Sequence, residues 1–178
     1  ERVAGYEVEH EWGGRWGDDA NCTVRYRSVP KPDYGQVAAR ITGRCRKGGH
    51  SGIQIVCKRA NANKLLFRFL NTRPEVSLCA VDGGGLRNAI PREAEAVVLV
   101  EAARYDELVA ALKAYEQVVR AEFAGIEEGI SIEAARCERP AQMLPAELAV
   151  KLTKCVVACP DGVQRMSTAM PGLVQTSS

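Results

Sequence analysis

The amino-acid sequence predicts an α+β fold of the ferredoxin-like type. This is an antiparallel sheet with its helices on one face (βαββαβ), extended here by an additional strand and a C-terminal helix. Short segments alternate apolar and polar residues with the period of a strand, and two longer ones repeat apolar residues with the period of a helix. Between Val37 and Ala134 these segments follow the order strand, helix, strand, strand, helix, strand. Two crossover units in that order form an antiparallel sheet with both helices on the same face.

The additional strand precedes this unit, and the unit itself begins with a strand and a short helix. Cys22, Val24 and Tyr26 alternate with polar residues, which is typical of a half-buried strand. The first strand of the unit starts near Val37. The helix is predicted over residues 62–70, where apolar side chains recur at helical spacing. The residue before it, Asn61, is suited to cap the helix N-terminus.

The second half of the unit is predicted to hold two strands, a long helix and a last strand. Residues 76–81 and 93–100 are the two strands, joined by a glycine-rich connection. The long helix is expected from Tyr105 to Phe123, and the last strand over residues 130–134. A further helix is predicted over residues 145–159, where a proline stands in the first turn.

These elements suggest three parts. Residues 1–20 show no clear period and are expected to be a linker or leader from a larger parent protein. Residues 21–135 form the core domain. Residues 136–178 are expected to be a helical extension followed by an irregular tail, because prolines and glycines interrupt the chain after residue 159.

Composition excludes several classes of protein. The 178 residues suffice for one good hydrophobic core, and no apolar run approaches the length of a membrane span. The acidic first residues do not resemble a signal peptide, so we expect a soluble cytoplasmic protein. Seven cysteines are an odd number, and no pair has the C-x-x-C spacing. We therefore expect free thiols in a reducing compartment rather than disulfides or a zinc knuckle.

Positive charge is concentrated in one segment although the net charge is only +2. No carboxylate occurs between Asp33 and Glu75. The basic residues in that window are Arg40, Arg44, Arg46, Lys47, Lys58, Arg59, Lys64, Arg68 and Arg73. Such a segment would attract phosphates or carboxylates. A solvated face that is balanced by acids elsewhere in the fold explains it equally well.

Two glycine-rich segments carry the candidate functional residues. His50 lies in Gly-Gly-His-Ser-Gly (residues 48–52), where glycines allow close approach of a ligand to a single imidazole. Arg87 and Asn88 lie in the connection between two strands and could offer a fork of donors and an amide to a polar ligand. An inert surface histidine and a simple hairpin loop remain the alternatives. Neither segment has the pattern of a P-loop or of a dinucleotide-binding turn.

A third pattern, Glu127-Glu128, has the appearance of the paired carboxylates of a metal hydrolase. It follows the long helix without a nearby histidine or aspartate to complete a metal shell. We interpret it as a solvated helix end.

Taken together, three strings resemble a known family. They are GGHSG at residues 48–52, NANKLLFRFL at 61–70 and GGLRNAIPREA at 84–94. Their order and spacing are similar to those of the aminoacyl-histidine (Xaa-His) dipeptidases, a branch of the metallopeptidases that includes carnosinases and bacterial tripeptidase. The similarity runs from about Asn21 to the end of the chain, and it is weak before Val37 and after Phe123.

The resemblance implies a function for the parent protein. Such dipeptidases have a catalytic domain with a two-zinc centre and an inserted lid (dimerisation) domain of the ferredoxin-like type. By this resemblance residues 21–135 are the lid core and 136–178 an incomplete second part of the lid. His50 matches the lid histidine that donates to the oxyanion of the tetrahedral intermediate. Asn88 matches a lid asparagine that contacts substrate, and Arg87 beside it is a weaker substrate-binding candidate.

The family's metal ligands are missing from this sequence. No H-x-D pair is present, so we expect the fragment to bind no catalytic metal and to be inactive alone. The expected partners are a dipeptide substrate and the parent's catalytic domain, with a homodimer as an option, and without nucleic acid or membrane. The alternative function is a basic ferredoxin-like module that binds nucleic acid. Against it, residues 37–43 and 76–81 contain no aromatic residue that could stack on a base.

Overall fold

The computed structural model describes residues 8–12, 20–24, 35–51, 54–86 and 88–177. Its first strands, β1 (Val8–Trp12) and β2 (Ala20–Val24), pair antiparallel. The predicted additional strand coincides with the end of β2, and Tyr26 lies outside the described residues. The interval 1–20, expected to be a linker or leader, therefore contains a strand.

The remaining elements follow the predicted order closely. In chain order they are β3 (Gln36–Arg44), β4 (Gly49–His50), α1 (Ala62–Leu70), β5 (Ser77–Gly83), β6 (Ala89–Ile90), β7 (Glu93–Glu101), α2 (Tyr105–Glu122), β8 (Ser131–Arg136), α3 (Ala146–Ala158), β9 (Val163–Met166) and β10 (Val174–Ser177). The sheet contains four strands in the order β5-β7-β3-β8, and all neighbours are antiparallel. The βαββαβ prediction is confirmed.

One face of the sheet and the helices enclose the main core. Ile41 at the centre of β3 is fully buried and stands in register with Ala96 of β7 and Ala134 of β8. Leu66 of α1 and Leu112 of α2 are buried in the same cluster. Both helices bury their apolar stripes against this one face, so neither of them packs on the opposite face of the sheet.

That opposite face carries a smaller cluster. Ala38, Cys79 and Leu99 are buried there, with Cys137 and Met143 packed against them. The segment that follows β8 thus covers one end of this face, whereas the side chains of Arg40 and Glu95 farther along it are 52% and 38% exposed. Nucleic-acid-binding modules of this fold present stacking aromatic residues on an open sheet. The strands β3, β5 and β7 contain no aromatic residue.

Polar contacts fix the ends of two helices. The Asn61 side chain accepts a 3.3 Å hydrogen bond from the Lys64 N–H, which confirms the predicted cap of α1. Lys64 Nζ in turn donates to the carbonyl oxygens of Val156, Val157 and Cys159 at 2.6–2.9 Å. Since a cation is favourable at the C-terminus of a helix, Lys64 attaches α3 to α1.

The prediction of an irregular tail after residue 159 is wrong in part. β9 and β10 form an antiparallel hairpin with a register irregularity. The prediction failed because the two strands are four residues each and lack clear alternation, and β9 is exposed along its whole length. The Ser177 hydroxyl donates to the Ser51 carbonyl oxygen at 3.0 Å, so the hairpin contacts the loop that carries His50.

Six cysteines are described with their side chains, and all of them are free thiols, as predicted. Within the described part of the chain, no helix has the length and hydropathy needed to cross a membrane.

Candidate functional site

The two glycine-rich segments meet in a short antiparallel pairing. Strand β4 pairs with β6, with Gly49 opposite Ile90 and His50 opposite Ala89. The pairing continues in a 2.9 Å hydrogen bond from the Ser51 N–H to the Asn88 carbonyl oxygen. The structure therefore brings two of the three predicted site residues, His50 and Asn88, to the same edge of the fold. Both side chains are exposed, and Arg87 lies outside the described residues.

Gln54 fixes the backbone of His50 from both sides. Its side-chain oxygen accepts a 2.9 Å hydrogen bond from the His50 N–H. Its own N–H donates to the His50 carbonyl oxygen at 2.9 Å. With both main-chain groups of His50 bound to one residue, the Cα–Cβ direction of the histidine is set before any ligand arrives.

The glycines before His50 are required because other side chains lie close to them. A Cβ atom on Gly48 would stand 2.5 Å from Arg92 Cγ, and one on Gly49 would stand 2.7 Å from Arg59 Nη1 and 2.8 Å from Gln54 Oε1. The Arg59 guanidinium donates to the Gly48 carbonyl oxygen. The sequence suggested that these glycines let a ligand approach closely, whereas in the structure they accommodate two arginines and a glutamine.

Glu127 anchors the other end of the same loop. It is only 1% exposed, and its Oε1 accepts from the Arg46 and Lys47 N–H groups at 3.1 Å each, while Oε2 accepts from Lys47 at 3.0 Å. Our interpretation of Glu127-Glu128 as a solvated helix end is therefore wrong for Glu127 and holds for the exposed Glu128. The Glu127 carboxylate thus supplies the acceptor for the N–H groups of residues 46 and 47.

The thiol of Cys45 precedes the two residues that Glu127 binds. Burial raises its pKa to about 12, and the negative charge of Glu127 adds to the effect. Cys45 is therefore protonated at neutral pH and is neither a nucleophile nor a ready metal ligand.

Two cavities lie along the 83–94 connection and share most of its residues. One, of about 490 Å³, also reaches Arg44 and Thr42, and the other, of about 450 Å³, also reaches Ser51 and Asp161. Ser51 lines the second cavity, whereas His50 and Asn88 are exposed beside it and line neither cavity. An exposed imidazole on a fixed backbone can donate a hydrogen bond to an anionic or strongly polar atom of a ligand.

Part of the basic window is neutralised within the fold. Arg40 pairs with Glu95 at 2.9 Å and Arg68 with Glu122 at 2.7 Å. Lys64 is occupied by the carbonyls of α3. The remaining basic side chains near His50 include Arg59, which binds the Gly48 carbonyl. The segment's charge therefore serves the fold at several positions and is not one continuous anion-binding face.

Comparison with known proteins decides the family. Residues 33–127, which are more than half of the chain, match the family described as the peptidase dimerisation domain. The chain belongs to this family. The peptidase dimerisation domain so identified contains His50, Asn88 and Glu127, which are the three residues on which the geometry of the site depends.

Two relatives are similar over most of this domain. The cytosol non-specific dipeptidase of Escherichia coli (strain K12) is 36% identical over 141 residues, which are 78% of this chain and 29% of that protein. The crystal structure of aminoacylhistidine dipeptidase from Vibrio alginolyticus is similar with a TM-score of 0.80 and 35% identity, over 85% of this chain and 31% of that one. The chain thus spans about a third of the length of each relative.

The donor set does not fit a resident metal ion. Among the described residues, no group of three or more His, Cys, Asp or Glu side chains could hold one. A zinc site in proteins has at least three such ligands. Gln54 binds the main chain of His50, and the Glu127 carboxylate accepts three hydrogen bonds from main-chain N–H groups. The candidate site of this domain is one for hydrogen bonding.

Sequence reasoning missed Gln54, Arg59 and Glu127. Gln54 and Arg59 lie a few residues after His50, and nothing in their spacing distinguishes them from surface residues. For Glu127 there was one weak signal: a basic window without carboxylates needs acids from elsewhere in the fold. The sequence did not indicate which acid would be used.

Proposed function

We propose that this chain is the lid of a dipeptidase and that His50 donates a hydrogen bond to the oxyanion formed when the substrate's peptide carbonyl is attacked. The observation that carries the proposal is the exposed imidazole on a backbone held at both its N–H and its C=O by Gln54. A preorganised donor lowers the barrier because it is already oriented when charge develops. Membership of the peptidase dimerisation family supplies the reaction class.

Asn88 and Arg87 are proposed to bind the substrate beside this donor. Asn88 is exposed one residue before the partner of His50 in the short pairing, so its amide can reach the same ligand. Arg87, the adjacent cation, would suit the substrate's carboxylate. For the substrate we propose dipeptides of the Xaa-His type. The name of the Vibrio relative agrees with this class, and that of the Escherichia relative describes broader use.

The reaction would need a catalytic domain outside the described residues. Following the resemblance to two-zinc dipeptidases, we propose that this domain holds two zinc ions. The described residues offer no metal shell of their own, and we propose that the 178-residue chain alone is inactive. The family description further supports a homodimer, and the name of the Escherichia relative supports a cytoplasmic location. Nothing favours the nucleic-acid alternative, whose stacking residues are missing from the central strands β3 and β7.

The test replaces His50 by alanine in the full-length enzyme. We expect turnover of Xaa-His dipeptides to fall by about 100- to 1000-fold, the usual effect of removing one oxyanion donor. The bound metal, measured by elemental analysis, should not change. His10, the second histidine within the 178 residues, provides the matched control as His10→Ala. Unchanged turnover in His50→Ala would exclude His50 from the reaction.

A second measurement tests whether the 178-residue chain needs a separate catalytic domain for activity. The purified 178-residue chain should not hydrolyse any dipeptide, with or without added zinc. Hydrolysis that co-purifies with the chain through repeated chromatography would show that its own residues suffice for catalysis. A light-scattering mass of the full-length enzyme that equals one subunit would contradict the proposed homodimer.

A further inference from the structure

We propose that Glu127 is the positioning residue of His50: its buried carboxylate fixes the entry to the histidine loop and so determines where the imidazole stands. The inference rests on the proposed function of His50. It concerns a residue that lies 77 positions further along the chain and outside the glycine-rich segments.

The Glu127 carboxylate forms its hydrogen bonds with main-chain groups of the same chain. Three hydrogen bonds of 3.0–3.1 Å join it to the N–H groups of Arg46 and Lys47. A buried carboxylate requires such partners, and hydrogen bonds to a charged acceptor are stronger than neutral ones. Glu127 therefore acts on the loop that begins at residue 46 and does not face the cavities beside the 83–94 connection, whose linings exclude it.

Glu127 is itself held firmly at the end of α2. Its N–H donates to the Phe123 carbonyl oxygen at 2.9 Å, and Lys47 Nζ donates to the neighbouring Ile126 carbonyl oxygen at 3.2 Å. Two residues further on, Gly129 lies so close to Arg46 that a Cβ atom would overlap its side chain. The segment 126–129 and residues 46–47 thus contact each other at several points. The segment that follows α2 therefore fixes the position at which the histidine loop begins.

The two glycines between Lys47 and His50 explain why the loop needs an anchor at residues 46 and 47. Gly48 and Gly49 alone separate Lys47 from His50, and glycine allows the backbone more conformations than any other residue. A donor must stand within about 0.5 Å of its productive position. Gln54 and the β4–β6 pairing hold the chain from Gly49 onward, Arg59 binds the Gly48 carbonyl oxygen, and Glu127 holds the chain immediately before the two glycines. Without Glu127, the loop would lose its attachment to the segment that follows α2, and His50 would be held from one side only.

The experiment uses Glu127→Gln in the full-length enzyme, with Glu128→Gln as the matched control. The substitution keeps the size of the side chain but removes its negative charge, and it places an amide NH2 where one carboxylate oxygen accepts from the Lys47 N–H. Hydrogen–deuterium exchange followed by mass spectrometry should show faster exchange in peptides that cover residues 46–51 and unchanged exchange in β3 and β7. We expect kcat to fall by about 10- to 100-fold, as misplacement of a catalytic group commonly does, with little change in KM. Glu128→Gln should behave as the wild type.

A double-mutant cycle with His50→Ala separates positioning from general damage. If Glu127 acts through His50, the double variant should be no slower than His50→Ala alone, because the interaction is already lost. The inference would be overturned if Glu127→Gln lowered kcat as much in the His50→Ala background as in the wild type. Unchanged exchange over residues 46–51 in Glu127→Gln would also overturn it. If Glu127→Gln does not fold, Glu127→Asp replaces it, since aspartate keeps the charge but withdraws it by one methylene.

The two possible failures are distinguishable. Full activity of His50→Ala would show that the proposed function is wrong, whatever Glu127 does. Full activity of Glu127→Gln together with an inactive His50→Ala would show that the histidine works without this anchor.

Discussion

The main-chain N–H of Ser51 donates a 2.9 Å hydrogen bond to the carbonyl oxygen of Asn88. This contact joins two glycine-rich segments that are 37 residues apart in the sequence. It extends the pairing of His50 with Ala89 by one residue. Since the bond uses main-chain atoms only, both the histidine imidazole and the asparagine amide remain directed toward solvent-accessible space.

A first prediction concerns the space beside Gly49. In Gly49→Ala, the new Cβ displaces the ends of Arg59 and Gln54, which lie 2.7 and 2.8 Å from its ideal position. Both are flexible side chains, so we expect only about 1–3 kcal/mol of lost stability, in the range of overpacking. Amide exchange at His50 should nevertheless accelerate, because Gln54 no longer accepts its N–H.

The control for that substitution is Gly85→Ala, where a Cβ would meet nothing within 4 Å. Urea unfolding and amide exchange of the two variants are compared with the wild type. If Gly85→Ala accelerates exchange at His50 as much as Gly49→Ala does, contact with Gln54 is not the reason.

A second prediction follows from the ion pair between α1 and α2. Arg68 donates to both Glu122 oxygens, and these hydrogen bonds lower the carboxyl pKa below its ordinary 4.5. A carboxyl whose pKa is lower in the folded than in the unfolded state stabilises the protein above the unfolded pKa. That stability is lost as the pH falls through the folded pKa.

Glu122→Gln should therefore lower the free energy of unfolding at neutral pH. Both partners are more than a third exposed, so solvent screening limits the loss to about 0.2–1 kcal/mol. Urea titrations at neutral pH and below the lowered pKa of Glu122 measure it, and the difference from the wild type should vanish in acid. A difference that persists in acid would mean that the substitution disturbs packing rather than the ion pair. Glu128→Gln is the exposed control.

A third prediction concerns the thiols. Burial raises the pKa of Cys45 to about 12 and that of Cys79 to about 11, whereas Cys57 and Cys155 are exposed. Because the thiolate is the reactive form, iodoacetamide at a pH near about 8 should modify Cys57 and Cys155 long before the two buried thiols.

Cys159 should react more slowly than Cys155, because partial burial and the adjacent Cys155 raise its pKa. Peptide mass spectrometry over a time course gives each rate. Labelling of Cys45 as fast as Cys57 would show that the segment beside Glu127 opens frequently. In Glu127→Gln, faster labelling of Cys45 than in the wild type would accord with a released loop.

Much of the fold was predictable because local and global signals agree. The helix Ala62–Leu70 was predicted with its bounds and with its cap Asn61, since side-chain spacing and capping chemistry are both local properties. The sheet order followed from the sequence of elements. The β9–β10 hairpin was missed, because short exposed strands bury too little to leave a pattern.

The candidate site was predictable in its residues but not in its support. His50 and Asn88 were found from their motifs, and their adjacency required the β4–β6 pairing. The role of Glu127 depends on the close approach of the end of α2 to residues 46 and 47, a contact across 80 residues that no period in the sequence records. Hydrogen bonds from main-chain N–H groups are invisible in sequence, because every residue except proline has one.

Lys64 links α1 to the C-terminal end of α3, although the two helices are far apart in the sequence. The last turn of α3 contains no basic residue of its own, and its terminal carbonyl groups bind an ammonium group that belongs to α1. Acetylation of that single amine would remove the charge and two of its three donors. Terminal carbonyl oxygens of α3 would then accept hydrogen bonds from water. A chain that ends before α3 would consequently leave Lys64 without these acceptors and expose the apolar side chains that α3 covers in the core.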